Sequence, residues 1–499
     1  MSDTRWSSGE EPDGRRRLQP LALLRRGAGG LVVALFFLLL LVSPLPMGGN
    51  RDWAWAPMAI VIGALAVAGA LGLGTRRGLD VMPGEGGPLA LLVLCFGLML
   101  GIAVLQMSSF APATPSAAFY ARAAKALGYA HAPVPTLAVD ASFDVLLKCM
   151  ACGLIFAMAR ACCVDRKRAR QLLMVLMASA LLVAIYGFLG TAYHSCFVGS
   201  YLKKEGDYMP EYDRCVMSGT FVNSNSFGCF LGMALVAAIA LIVSRARSSY
   251  RNRGEEDDEI PRPLDWITLP RVVMAAMAVV FAGGLMLSAS RAGAAATAVS
   301  MAMLALLLAR GRLGSRRQVA KLMLVAGIGG GALLLLAGGV LLQKISLFPQ
   351  TASINRFVIW ETTIKAIRES PWLGWGLGSF ADIYTVLQPP QIPIANDKAH
   401  STPLETILEL GIPGGLIAIA AVMLPWLIAG RAAWRRRRHR YLPAAAFAAS
   451  AVAILHSTVD FSLQMPAIGF FVSALLGMGW AQAFAPSEHG PGPFTERAR

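Results

Sequence analysis

Charge is scarce in this chain of 499 residues: Asp, Glu, Lys and Arg make up 15% of it, where soluble domains carry about 25%. Acidic residues are the scarcer sign, 29 against 45 Lys and Arg, for a net charge of +16. Apolar residues fill the gap at 56%, with a mean hydropathy of +0.57. They stand in blocks near twenty long rather than at periods of two or 3.6, which excludes a string of soluble domains. Ten-residue alternating segments are lacking, which excludes a transmembrane β-barrel. No phosphate-binding P-loop is present, so nothing points to an ATP-driven pump. The eight cysteines are scattered, Cys95, Cys149, Cys152 and Cys229 within apolar blocks, and no spacing of theirs makes a metal site. The first apolar block ends in Ser43-Pro44-Leu45-Pro46-Met47 without a small-x-small cleavage pattern, and is expected to be a retained span.

Twelve apolar segments can be marked, at about 28–45, 54–73, 87–107, 143–163, 172–192, 226–244, 270–289, 293–309, 321–341, 405–429, 442–458 and 463–483. Most are long enough to cross a hydrocarbon core of about 30 Å; the eighth and the last two are the weakest. The expected fold class is an all-α polytopic integral membrane protein of about twelve transmembrane helices. Most of the 45 basic residues fall in the N-terminal tail, around Arg76, in 160–170, 245–271, 310–321 and 431–440, and at the C-terminus. All lie on one side if the segments alternate. Positive charge stays cytoplasmic, so both termini are expected inside. The basic excess therefore follows the membrane and implies no nucleic acid. The chain divides into a cytoplasmic tail at 1–27, first helices and loops at 28–209, a candidate site region at 210–467, and the last helix end with a tail at 468–499.

Three segments on the outer side are long, about 108–142, 193–225 and 342–404, and a scaffold has no need of them. Asn355 to Glu369 reads as an amphipathic helix, with Phe357, Ile359, Ile364 and Ile367 apolar and Glu361, Lys365 and Arg368 charged. Pro371-Trp372-Leu373-Gly374-Trp375-Gly376-Leu377-Gly378 then reads as a tight turn. The Gly327–Ala332 stretch imitates a dinucleotide fingerprint but sits inside an apolar block, where glycine serves helix packing. The run Glu255–Glu259 reads as a solvated loop. Cys196 and Cys215 share an outer loop, where they either form a disulfide or remain free thiols.

Polar residues at the edge of apolar blocks need a reason, and those of interest all fall on the outer side. Arg291 lies in a turn of three or four residues, Ser288-Ala289-Ser290-Arg291, where it either reaches to lipid phosphate or binds an anionic substrate group. Arg214 precedes Met217 to Asn225, the approach to the sixth block; a local salt bridge with Asp213 or Glu211 is the alternative to a substrate role. Arg356 opens the amphipathic helix. His400 stands just outside Thr402-Pro403-Leu404-Glu405, which reads as a capping box with Thr402 as the cap. Glu405 and Glu409 are one turn apart on the helix so begun, and Gly411 and Pro413 should loosen it. An imidazole there suits a general base, or a structural hydrogen bond. His456 and Asp460 could pair across one turn, and Lys148 could balance Asp144. Several arginines and a histidine around a cavity suggest a diphosphate-bearing substrate rather than a divalent-metal site.

With these residues in view, four stretches resemble the O-antigen ligase and polymerase superfamily of bacterial envelope glycan enzymes. They are Arg214 with Met217 to Asn225; Ser288 to Arg291; Asn355, Arg356 and Trp360 through Phe380, continuing over His400 to Leu404 and Glu409 to Gly414; and His456 to Ala467. The chain departs at Ser401, where one form of the family has Asn. The resemblance implies a C-type membrane glycosyltransferase fold acting on the periplasmic side without a cofactor or metal. It also implies an undecaprenyl-diphosphate-linked glycan donor and, as acceptor, a glycan repeat unit or lipid A core. Flippase and chain-length regulator proteins would be partners alongside the membrane lipids. By resemblance His400, Arg291 and Arg214 would be catalytic. Arg356, Glu405, Glu409, His456, Asp460, Asn223 and Asn225 would contact substrate. The stretch Val459 to Ala467 looks more like polysaccharide polymerases than ligases, so metal-independent, inverting polymerisation is the leading expectation. Transfer to lipid A core, transfer to protein and anion transport are the alternatives.

Overall fold

The computed structural model describes residues 14–73, 80–108, 139–193, 216–253, 268–309, 351–390, 396–436 and 439–486, with short pieces between 110 and 138 and between 197 and 215. The ninth apolar segment at 321–341, the Gly327–Ala332 stretch, the Glu255–Glu259 run and Cys196 lie outside the described residues. The helices are α1 Gly14–Val42, α2 Asp52–Ala68, α3 Gly86–Gln106, α4 Val139–Cys162, α5 Arg166–Ala192, α6 Ser224–Arg253, α7 Leu269–Leu287 and α8 Arg291–Ala309. They continue with α9 Thr351–Glu369, α10 Phe380–Leu387, α11 Thr402–Arg435, α12 Tyr441–His456 and α13 Pro466–Phe484. Two antiparallel pairs of two-residue strands, Phe197–Val198 with Tyr201–Leu202 and Tyr208–Met209 with Arg214–Cys215, are the only strands among the described residues.

This is a polytopic membrane protein, and nine helices among the described residues are long and apolar enough to cross a membrane. The expected count of about twelve is corrected to that figure. The apolar part of α1, Ala28–Val42, and α12 are shorter apolar helices, and 321–341 is not described. The eighth segment, the weakest by sequence, is a full helix of 19 residues.

Helix starts follow local chemistry. The Asn223 Oδ1 accepts from the Asn225 and Ser226 amides at 2.7 and 3.3 Å and so caps α6. The Ser290 hydroxyl accepts from the Gly293 amide at 3.1 Å at the head of α8, and the Asp165 carboxylate accepts from the Lys167 amide at 2.9 Å at the head of α5. Proline stands in the first turn of α7, α11 and α13, where its missing N–H costs nothing.

The centre of the bundle is α6, α12 and α13. Within α13, 94% of the spanning window is buried, against 11% in α3 at the periphery. Alanine and glycine let these helices approach closely: a Cβ on Gly479 would lie 2.7 Å from that of Ala429 and 2.9 Å from that of Ala446. The rings of Phe221, Phe230 and Phe471 meet in series at tilted angles between α6 and α13, with centroids 5.5 and 5.4 Å apart. At the end of the bundle away from His400, the buried Glu85 carboxylate accepts from Arg160, from the Trp480 indole and from the Met82 amide. That network pairs the buried Glu85 and Arg160 charges where α3, α4 and α13 meet.

At the His400 end, α9, α10 and the 370–378 turn form a cap with its own small core of Ile359, Ala366, Ile367, Trp375, Phe380, Ile383, Tyr384, Ala399 and Leu408. Only half of the expected apolar face of α9 enters it. Ile359 and Ile367 are buried, whereas Phe357 and Ile364 are exposed, because they are seven residues apart on the face that carries Glu361 and Lys365. The Lys365–Glu361 pair forms there at 2.8 Å.

Candidate active site

Helix α11 is interrupted inside its first three turns: Gly411 adopts φ +74°, ψ 171°. The break frees backbone groups that must find partners, and the 371–376 segment supplies them. The Trp375 amide donates to Leu408 O at 3.1 Å, the Gly376 amide to Glu409 O at 3.0 Å, and the Ile412 amide to Pro371 O at 2.7 Å. Gly374, Gly376 and Gly378 all have positive φ. A Cβ on Gly376 would stand 2.1 Å from Thr136 Oγ1, so glycine is required by contact as well as by torsion. The tight turn read from the sequence is therefore present, and it is clamped between α3, α4 and α11.

Gln106, the last residue of α3, joins these parts. Its side-chain N–H groups donate to Leu373 O and, at 2.8 Å, to Glu409 O, and its Oε1 accepts from the Leu377 amide at 3.0 Å. Ser142 on α4 donates to Leu377 O at 2.6 Å and bonds Thr136 at 2.9 Å. Sequence reasoning overlooked Gln106, Thr136 and Ser142. The available signal was a lone amide at the end of an apolar block. Replacing Gln106 with Leu keeps the shape and strands the buried Leu377 amide, so a loss of about 2–4 kcal/mol is expected. Thermal unfolding of the purified protein in detergent checks this, and an unchanged midpoint would contradict the network.

The His400 loop is fixed from three sides. Trp360 on α9 donates to Ala399 O at 2.9 Å, Glu405 accepts from the Ala399 amide at 2.9 Å, and the Thr402 amide donates to Ser457 O at 2.8 Å. Lys398 pairs with Glu405 at 3.2 Å. Burial pushes the Lys398 ammonium down, but Glu405 and Glu409 outweigh it and hold the group above its usual value, hence charged. The expected capping box is corrected: Ser401 is the cap residue and makes no side-chain capping bond. Glu405 instead reaches back to Ala399 and Lys398, while the Thr402 hydroxyl turns to Asp460 O at 3.3 Å. Glu409 holds the head of α10, accepting from the Phe380 amide at 3.4 Å and from Gly378. Both carboxylates thus have protein partners that shape the loop.

His400 itself has φ +51°, a left-handed conformation costly for a residue with a Cβ. Its ring stands edge-on to Phe461 at 5.3 Å, and its Nδ1 is buried without a hydrogen-bond partner. Burial pushes the imidazole below its ordinary 6.5; Asp460 opposes this and Arg356 adds to it. His400 is therefore neutral at pH 7 and able to accept a proton.

Asp460 is the hub beneath it. Its carboxylate accepts from Asn225 Nδ2 at 3.0 Å, from the Phe461 amide at 2.8 Å and from the Ser462 hydroxyl at 3.1 Å. The Arg356 guanidinium lies 3.9 Å away. Arg356 and Trp360, one turn apart on α9, thus hold the Asp460 turn and the His400 loop with one face of one helix. The expected His456–Asp460 pairing is corrected: His456 is buried to 1% exposure with both ring nitrogens unpartnered. The helix stops at His456, and the turn that follows aims Asp460 toward α6 instead.

Arg291 is exposed at the first residue of α8 and makes no hydrogen bond or ion pair with a described residue. Its turn packs on α6, where a Cβ on Gly228 would meet Ser288 Oγ at 2.6 Å and Ser290 Cβ at 2.9 Å. Gly228 is one helical turn from Asn225, so the Arg291 turn adjoins the Asp460 hub. The Arg214 backbone lies in the last short strand, paired with Met209. The side chains of Arg214 and Cys215, and with Cys196 the choice between a disulfide and two free thiols, lie outside the described residues. Among the described residues, no three of His, Cys, Asp and Glu converge as metal ligands.

No curated protein matches the chain. Residues 276–419, somewhat under a third of the sequence, match a family model described as O-antigen ligase. That match takes in Arg291, Arg356, the glycine turn, His400, Glu405 and Glu409; Arg214, Asn223, Asn225, His456 and Asp460 lie outside it. Over that region the chain is similar to the O-antigen ligase family.

Proposed function

We propose that the protein is a glycosyltransferase of the bacterial inner membrane that moves a glycan from undecaprenyl diphosphate to a sugar hydroxyl on the periplasmic side. The observation that carries this reading is His400, neutral and with a free Nδ1, held beside the Asp460–Arg356 pair within the matched region. In the reaction the acceptor oxygen attacks the anomeric carbon and gives its proton to His400. The bond from that carbon to the diphosphate oxygen breaks, and undecaprenyl diphosphate leaves with the electron pair. One displacement inverts the configuration. Arg291, with Arg214, neutralises the leaving diphosphate, a role that the fixed fork of a guanidinium fills without a metal. The exposed position of Arg291 at a helix N-terminus, without an ion pair to a described residue and where free amides also favour anions, supports this. Arg356 would line the substrate side, with Asn223, Asn225, His456 and Asp460 behind it, and with flippase and chain-length regulator proteins as partners.

The description of the matched family favours lipid A core as acceptor over a second repeat unit. The polymerase reading rests on Val459 to Ala467, outside the match. The lipid-linked glycan profile of cells lacking the gene separates the two. Full-length chains stalled on the lipid carrier mean a ligase, and single repeat units stalled there mean a polymerase. An unchanged profile contradicts both.

A pH dependence follows from His400. Its folded pKa lies below 6.5, so the base form is complete at neutral pH and is lost as pH falls through that value. The transfer rate should be level above about pH 7 and drop tenfold per unit on the acid side. A rate profile between about pH 4.5 and 8 tests this; a flat acid limb in protein that remains folded would remove His400 as the base.

A further inference from the structure

A second group of ionisable side chains borders His400 and has no part in the displacement step. Lys148 on α4 holds its Nζ 4.7 Å over the ring of Trp55. Trp55 is buried, and its indole N–H donates to Asp52 Oδ1 at 3.0 Å. Lys148 makes no hydrogen bond and no ion pair within 4 Å to a described residue, although Asp144, Asp52 and Lys398 are its electrostatic neighbours. Its three N–H donors are therefore available in a half-buried position. Lys398, two residues before His400, gives one donor to Glu405 and is 30% exposed. Asp52 and Asp397 are exposed, and Asp144 is half-buried.

The two flanks of the His400 loop differ in electrostatic character. Toward α6 and α8 stands Arg291, with no acidic residue in the first turn of its helix and no ion pair to a described residue. Toward α2 and α4 the two lysines face Asp52, Asp144, Asp397, Glu405 and Glu409. Asp52, Asp144, Asp397 and Glu405 outnumber the two ammonium groups and disfavour a diphosphate. Donors and acceptors set side by side instead match hydroxyl groups, each of which both donates and accepts. We propose that Lys148, Lys398, Asp144 and Asp52 form the subsite for an uncharged sugar ring of the acceptor, with Trp55 holding Lys148 in place. This rests on the glycosyltransferase reading and divides that site into an arginine flank for the donor diphosphate and a lysine–aspartate flank for the acceptor sugar.

The test is saccharide binding by the purified full-length protein in detergent. Two probes are used, both prepared from the cells that carry the gene: the repeat-unit oligosaccharide released from its lipid carrier by mild acid, and the delipidated core oligosaccharide. The wild type should bind at least one. Lys148→Gln and Asp144→Asn should each weaken that binding about tenfold or more, with the unfolding midpoint unchanged. Arg291→Ala should bind as the wild type does. Should Lys148→Gln fail to fold, Lys398→Gln on the loop takes its place. Binding of neither saccharide by the wild type overturns the subsite. So does undiminished binding in the lysine variants, or equal loss in Arg291→Ala. An unchanged lipid-linked glycan profile in cells lacking the gene would refute the transferase reading separately, whatever the saccharides do.

Discussion

Arg291→Ala is expected to lower glycan transfer by about 10²–10³-fold or more while leaving the protein's abundance in the membrane unchanged. The kinetic part follows from the role of the guanidinium: removing one preorganised group that meets developing negative charge costs about that factor. The stability part follows from where Arg291 sits. It is exposed, has no partner among the described residues and occupies the positive end of the α8 dipole. A cation there is mildly unfavourable, by about 0.3–1 kcal/mol, so alanine should fold at least as well. Arg291→Lys keeps the charge but loses the planar fork, and should fall between the two. Transfer from a lipid-linked donor by purified protein is the measurement. Turnover of the alanine variant near that of the wild type would sink the assignment.

Gly374→Ala should prevent the protein from reaching its native fold, an effect above about 4 kcal/mol. Two independent costs add. Gly374 has φ +66°, which an alanine adopts only at a penalty of about 1–2 kcal/mol. Its added Cβ would also lie 2.3 Å from Glu409 O and 2.4 Å from the Gly411 nitrogen. Those are backbone atoms, which no rotamer change can move. Relief requires parting the turn from α11, and that would break the amide bonds from Trp375, Gly376 and Ile412. Gly63→Ala in α2 is the control: nothing lies within 4 Å of the new methyl, and helix propensity favours it. Size-exclusion profiles and thermal unfolding of the two variants decide the matter. A Gly374→Ala protein that elutes and melts like wild type would show that the turn does not pack against α11 in this way.

Features carried by local chemistry are legible in the sequence alone. The spans follow from block hydropathy, although Ala28–Val42 and α12 are shorter than a crossing helix because the chain turns at the Pro44–Met47 and His456–Asp460 stretches. The glycine turn is readable because glycine in alternate positions beside proline and tryptophan has few other uses. Arg356 stands out in the sequence as the cation that opens the amphipathic helix, Trp360 only by resemblance, and the structure supplies the reason for their spacing. They are one turn apart on α9, and each holds one side of the His400 loop.

What the sequence by itself determined is the polytopic, all-α character of the chain, the polar residues gathered at one end of its apolar blocks, and the likeness of 276–419 to the O-antigen ligase family. Only the tertiary structure decided which of those polar residues meet. Glu405 is readable as a capping acid, yet it serves the Ala399 amide and Lys398. Asp460 follows His456 at the spacing of a helical pair, but its carboxylate bonds Asn225, 235 residues away. Gln106, a lone amide at the end of an apolar block, joins Glu409 across 303 residues. Hydropathy and capping are properties of a few neighbouring residues and can be read along one dimension. A buried polar group takes whatever partner the packing of distant helices brings within about 3 Å, and that choice exists only once the helices have packed.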